Sequence, residues 1–287
     1  MTDLAADHRA CAAALRAAGS SFALPIRLLP EAKRRGTTAL YAFCRAVDDI
    51  VDDALDPAAA RRGLDGFEAA TRGALAGEGS DEPVLRALAD TVRRYAIPAE
   101  TIREILAGVR MDLEQAEYPT LADLDVYCRR VAAAVGVAAI HIWGFIDPEA
   151  IERSDDCGLA FQYTNILRDI PEDLGRGRIY LPAEEFATCG CTADELRAGT
   201  LHAGFDRLAA RLVARAEHRF ARAAALDRML STDGRLAFRA MFGVYRSLLG
   251  AVRRAGRGIF TRRVKPAKPR LLAAAAATVL LGPRVGR

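Results

Sequence analysis

Two short acidic stretches hold the residues most able to do chemistry. The first, Tyr41-Ala-Phe-Cys-Arg45-Ala-Val-Asp48-Asp49-Ile-Val-Asp52-Asp53, falls inside a long helical stretch, so Asp48 and Asp52 share one face and Asp49 and Asp53 another. Carboxylates four apart repel. With apolar Val47, Ile50 and Val51 beside them, where the helix must pack, the arrangement is costly unless a cation offsets it. The second stretch, Gln162-Tyr-Thr-Asn165-Ile-Leu-Arg168-Asp169-Ile-Pro-Glu172-Asp173, sets Asn165, Asp169 and Asp173 at the same spacing of four. Oxygen ligands of this kind suit Mg²⁺, which takes a few carboxylates and completes its shell with phosphate oxygens. Two such helices facing each other across a cavity would hold Mg²⁺ against a diphosphate, with Arg45 and Arg168 one turn away to bind the phosphates directly. One acidic cluster alone is usually a solvated stripe. Two, interleaved with Arg and Asn among apolar neighbours, favour metal–diphosphate chemistry.

The elements that must position these residues are helices. Hydrophobic residues make up 51% of the 287-residue chain, charged residues 27% and aromatic residues only 7%, a balance suited to packed helices in an all-α, single-domain chain spanning 1–287. The pattern predicts helices over about 3–18, 31–55, 58–76, 83–95, 98–115, 120–145, 148–174, 192–198, 202–230, 234–255 and 268–281. Pro30, Pro83, Pro98 and Pro148 each stand where a first helical turn would begin, Asp81 and Asp147 are placed as N-caps, and Thr192-Ala-Asp-Glu195 has capping-box spacing. Pro171 should kink or end its helix near Ile170 and aim Asp173 inward. The following Gly175-Arg-Gly-Arg178-Ile-Tyr180-Leu-Pro182 brings Arg176, Arg178 and Tyr180 to the same mouth as a phosphate-covering loop. Only Arg178 to Leu181 reads as extended chain.

The six cysteines form no CxxC pair, which points to a reduced protein without structural zinc. No signal-peptide core and no run of about 18 apolar residues is present, so the expected location is cytoplasmic, with peripheral contact at the inner face of a membrane. That contact is assigned to the tail. Residues 234–287 hold thirteen Lys/Arg and no acid, whereas the first 233 residues carry a net −9. Arg262, Arg263, Lys265, Lys268 and Arg270 precede the apolar run Leu271–Leu281, which serves either as a last core helix or as a surface for anionic lipid. Lacking interleaved aromatics or a known module, the tail is not read as binding nucleic acid.

The two acidic stretches, with Ser20-Ser21-Phe22, Leu28-Leu29-Pro30, Tyr127-Cys-Arg-Arg-Val131, GRxYLP at 177–182 and Tyr245-Arg246, resemble the squalene/phytoene synthase family over most of the chain. The resemblance implies an isoprenoid-synthase helical bundle around a hydrophobic cavity that takes two prenyl tails. It implies Mg²⁺ on Asp48, Asp52, Asn165, Asp169 and Asp173, and diphosphate sites lined by Ser21, Tyr41, Arg45, Gln162, Arg168 and Tyr245; Phe22, Asn165, Arg178 and Tyr180 are expected to bind substrate with them. Tyr127, Arg45 and Arg168 are the expected catalytic residues, Tyr127 lying near the reacting carbons. Where phytoene synthases and eukaryotic squalene synthases more often show a VAGxVG-like stretch, this chain reads Val131-Ala-Ala-Ala-Val-Gly136, followed by Ile140-His141-Ile-Trp143, and looks closer to bacterial enzymes of squalene and hopanoid synthesis. The expected reaction joins two farnesyl diphosphates into presqualene diphosphate, with NADPH needed only if squalene is the product. Phytoene from two geranylgeranyl diphosphates is the alternative, and a non-catalytic assembly protein of the same fold is the alternative of another class. A downstream isoprenoid-modifying enzyme is a plausible partner. His141 and Trp143, in an apolar helix, read as core.

Overall fold

A computed structural model of the chain describes residues 3–20, 22–115 and 117–283. The helices in chain order are α1 (Leu4–Ala17), α2 (Ala23–Arg27), α3 (Glu31–Asp52), α4 (Pro57–Ala76), α5 (Pro83–Arg94), α6 (Ala99–Glu114), α7 (Leu121–Cys128), α8 (Ala134–Trp143), α9 (Ala150–Gly175), α10 (Ala183–Cys189), α11 (Ala193–Arg197), α12 (Ala203–Ala223), α13 (Leu226–Met229), α14 (Thr232–Ala255) and α15 (Lys268–Leu281). Among the described residues there is no strand, only two isolated bridges, one of them joining Glu117 to Ile179 in the extended chain expected there. The all-α expectation therefore holds.

Local sequence sets most helix ends. The Asp56 carboxylate accepts the Ala59 N–H ahead of Pro57, and Thr120/Asp123 and Thr192/Glu195 form reciprocal capping boxes. Pro83 does open its helix, but Pro30 and Pro98 sit one position earlier, at the caps of α3 and α6, and Glu82 rather than Asp81 precedes α5. Short α2 and α10 carry too little periodicity to be legible, and the run expected over 202–230 breaks after Ala223.

Of the two expected outcomes at Pro171, a kink or a helix end, the helix does not end there. The chain stays helical to Gly175, because Leu167 and Ile170, buried on either side of the missing hydrogen bond, hold the helix in the core. Asp173 reaches the interior by regular helical turns.

α9 is the central element, packed against α8, α12 and α14. Between α7 and α8 the chain widens into a π-turn, Arg129–Ala133, that interrupts the single helix expected over 120–145. Glycine makes room for it on both sides. A Cβ at Gly158 of α9 would stand 2.4 Å from the Ala133 Cα, and one at Gly108 of α6 would stand 2.8 Å from the Val131 Cγ1. The far side of α9 is tied by ions: Asp125 accepts from Tyr163 (2.7 Å) and Arg215 (2.6 Å), and buried Asp156 accepts from Arg219 (2.8 Å) and Arg222 (2.9 Å). These bonds fix α7, and the π-turn that follows it, against α9 and α12.

The run Leu121–Trp143 is long and apolar enough to cross a membrane by length and mean hydropathy (1.2), but half of it is buried and the π-turn divides it. It serves as an inner wall of the bundle.

Candidate active site

α3, α6, α8, α9 and α14 surround one cavity of about 610 Å³. Its mouth lies at the C-terminal ends of α3 and α9, where both acidic stripes arrive. Asp48 and Asp52 enter from α3, and Asn165, Asp169 and Asp173 from α9. Phe22, Tyr41, Arg45, Tyr127, Gln162, Arg168, Arg178, Tyr180 and Tyr245 also line it, so every predicted site residue except one reaches the same space. Ser21 lies outside the described residues. Asp49 turns away and pairs with Arg45.

Charge at the mouth is only partly balanced by protein. Arg176 Nη1 stands 2.7 Å from Asp52 Oδ2 and Arg178 Nη1 3.5 Å from Asp52 Oδ1. Arg263 Nε, arriving from the chain between α14 and α15, stands 2.6 Å from Asp169 Oδ1, and Arg168 pairs with the same carboxylate. Among the described residues Asp48, Asp112 and Asp173 have no ion-pair partner within 4 Å. Enclosure by the cavity walls, together with the neighbouring Asp52 and Asp112 charges, pushes Asp48 up to about 7. Enclosure and the nearby Asp169 and Glu172 charges push Asp173 to about 7 as well. The Asn165 Oδ1 is buried without a donor. Side-chain oxygens without protein partners on two facing helices suit a hard cation, whose charge would favour the ionised form of both carboxyls. No three His, Cys, Asp or Glu side chains among the described residues converge tightly enough to hold an ion unaided, so any ion here needs oxygens from a substrate.

Asp112 was not foreseen. It accepts a hydrogen bond from the Tyr180 hydroxyl at 2.7 Å and a long one from the Tyr127 hydroxyl at 3.4 Å, while the Tyr127 and Tyr180 rings stack at 4.9 Å with Tyr118 against both. Burial raises all three phenols, so each stays protonated. The signal was in the sequence: Ile105, Val109 and Asp112 share one face of α6, and a lone acid on an apolar stripe calls for partners.

Deeper in, the walls turn apolar. Phe161 stacks on Tyr245 at 3.9 Å, Phe22 sits 5.7 Å from Tyr245, and Val131, Val135 and Ala139 descend one face of the π-turn and α8. A polar, cation-hungry mouth over a dry, elongated interior fits an amphiphile with an anionic head and a long hydrocarbon tail.

Known proteins share this arrangement. The sequence pattern of the family described as squalene/phytoene synthase matches residues 15–270. The chain belongs to the squalene/phytoene synthase family. It is therefore a prenyltransferase of the class that condenses prenyl diphosphates head to head. The phytoene synthase of Mycobacterium tuberculosis is 33% identical over all of this chain and 96% of its own length, and the presqualene diphosphate synthase of Rhodopseudomonas palustris is 36% identical over 78% of this chain and 79% of its own. A dehydrosqualene synthase crystal structure superposes with a TM-score of 0.88 at 27% identity, covering 96% of this chain and 95% of that one. Squalene synthase HpnC from Alicyclobacillus acidocaldarius gives 0.75 at 32% identity, covering 90% and 93%. The isoprenoid-synthase bundle expected from the sequence is thus the fold.

Proposed function

We propose that this enzyme condenses two farnesyl diphosphates into presqualene diphosphate, working as one catalytic domain. The observation that carries the reading is the joining of both acidic stripes at the mouth of one cavity whose inner walls are apolar. Support for the shorter tails comes from the likeness to the presqualene diphosphate and squalene synthases and from the bulk of Trp143 at the cavity's far end.

Asp48 and Asp52 on α3, and Asn165, Asp169 and Asp173 on α9, would hold Mg²⁺. A divalent ion held there would supply Lewis-acid stabilisation of the charge on the departing diphosphate. Arg45, Arg168 and Arg178 would bind the remaining phosphate oxygens, and Arg168 and Arg178, paired here with Asp169 and Asp52, would then leave those two carboxylates free for a metal. The C1–O bond of one substrate breaks and its electron pair departs with the diphosphate. The C2–C3 double bond of the second substrate then attacks the allylic cation, and loss of one proton closes the cyclopropane ring. Tyr127, kept protonated by burial and directed toward Asp112, turns its oxygen dipole to the cation, and the released diphosphate takes the proton. Apolar walls exclude the water that would quench the cation.

Purified protein with Mg²⁺ and either farnesyl or geranylgeranyl diphosphate, with and without NADPH, followed by mass spectrometry of the extract, tests this. The expected product is presqualene diphosphate, formed without NADPH. Conversion to squalene on adding NADPH would extend the reaction, and a forty-carbon product would replace this reading by the phytoene one, which the full-length likeness to phytoene synthases supports.

We also propose that α15 rests on an anionic membrane surface, where a water-insoluble product can be passed to an enzyme that modifies it. α15 packs on α14 through Ala275, while Leu272, Leu280 and Leu281 face outward at 50%, 80% and 58% exposure. Arg263 drops out of the basic patch, being turned inward to Asp169 and Glu172, which leaves Arg262, Lys265, Lys268 and Arg270 to meet lipid headgroups. In flotation with vesicles containing phosphatidylserine the protein is expected to float, and a Leu280→Glu/Leu281→Glu variant to stay behind. Equal recovery of both, or no flotation of the parent, sinks this placement.

A further inference from the structure

The cavity has a defined far end. Along α3 its lining runs from Asp52 at the mouth to Thr37, fifteen residues or about 22 Å at the helical rise. On the opposite wall Val131, Val135, Ala139 and Trp143 descend one turn at a time, small side chains ending on the chain's single tryptophan. The sequence alone read Trp143 as core. It is buried in the core at 5% exposure and also lines the cavity at this end, with Phe238 and Leu226 beside it at 1% exposure each.

Trp143 is anchored at both ends. The indole N–H donates to Thr37 Oγ1 at 3.1 Å, and that hydroxyl in turn donates to the Lys33 carbonyl at 2.8 Å. The Trp143 carbonyl accepts from Lys33 Nζ at 2.6 Å, and Gly234 brings the start of α14 so near that a Cβ there would meet the Trp143 Cβ at 2.7 Å. An indole held this way cannot swing aside when a tail presses on it.

We infer that Trp143, braced by Thr37, is the stop that sets the longest prenyl tail this enzyme accepts. The inference rests on the cavity being the tail-binding site, as proposed above. One isoprene unit is about as long as one helical turn, about 5 Å, so removing the indole lowers the floor by about one unit.

The test compares parent and variants on allylic diphosphates of fifteen, twenty and twenty-five carbons, singly and in competition, with products identified by mass spectrometry. Trp143→Leu is expected to raise kcat/KM for the next longer substrate, relative to the parent's preferred one, by at least about tenfold, since even one methylene in an apolar pocket discriminates by that much. Thr37→Val, which keeps the volume and removes the acceptor, shifts the ratio the same way by less. Phe242→Leu, a smaller deletion in the core behind Phe238 and outside the cavity lining, leaves the ratio unchanged. Melting curves establish that each variant is folded; should Trp143→Leu fail to fold, Trp143→Phe and Thr37→Val carry the comparison. A folded Trp143 variant with the parent's ratio, or an equal shift in Phe242→Leu, overturns the inference. The parent's own preference tests the farnesyl reading separately, because the predicted shift is measured from whichever tail the parent prefers.

Discussion

Asp169→Asn and Asp48→Asn each lower kcat by at least about 10³-fold, the loss expected when a group stabilising leaving-group charge is removed from an enclosed site. Both variants stay folded. Asp48 is raised to about 7 by enclosure and by the Asp52 and Asp112 charges, so its ionised form is a burden on the folded state that a neutral amide removes. Its melting temperature without metal should match or exceed the parent's. Asp169 differs, because Arg168 and Arg263 already neutralise it. Asp169→Asn leaves those two guanidinium groups facing an amide, and the melting temperature should fall slightly while the helix stays formed. Steady-state rates with Mg²⁺ and farnesyl diphosphate, beside melting curves with and without Mg²⁺ plus inorganic diphosphate, check both halves. A parent-like rate in either variant removes that residue from the metal set, and a melting gain with Mg²⁺ and diphosphate in the parent but not in the variants supports it.

What the sequence showed and what it hid divide along chain distance. The stripes were legible because Asp48 and Asp52, and Asn165, Asp169 and Asp173, are related by one helical turn, and local spacing dictates which carboxylates share a face. That the two faces meet is a tertiary fact; the match to a known family supplied it in advance, and the cavity at the ends of α3 and α9 bears it out. The partners of Asp112 lie fifteen and sixty-eight residues away, and Arg263 reaches Asp169 from the far end of the chain, so no local pattern joins them. Pro171 misled only as to a helix end, because propensity was weighed without the burial on either side of it. Trp143, read as core, is buried there and also borders the cavity: an apolar face lining a cavity has the same periodicity as one lining a core, and only the empty space beside it tells them apart.

Asp112→Leu should lower kcat about 10²-fold with little change in KM. Asp112 is the acceptor shared by Tyr127 and Tyr180, and it is the polar tether of a three-tyrosine stack whose other contacts are ring against ring. Without it two buried hydroxyls lose their partner and turn to find others, and the Tyr127 oxygen leaves the place in the cavity lining from which it is proposed to act on the reacting carbons. Misplacing a group by about 1 Å costs about that factor in rate. The arginines proposed to hold the diphosphates, on α3, α9 and the 175–182 loop, are not changed, so binding should persist. Asp112→Asn keeps an oxygen acceptor for one of the two tyrosines and should recover most of the rate. A merely structural role predicts something else: the leucine, which suits the apolar stripe of Ile105 and Val109, would then leave kcat intact or change kcat and KM together, with no recovery by asparagine. Measuring kcat, KM and melting temperature for the three proteins separates these outcomes, and an unchanged kcat in folded Asp112→Leu means that Tyr127 is placed by its ring contacts alone.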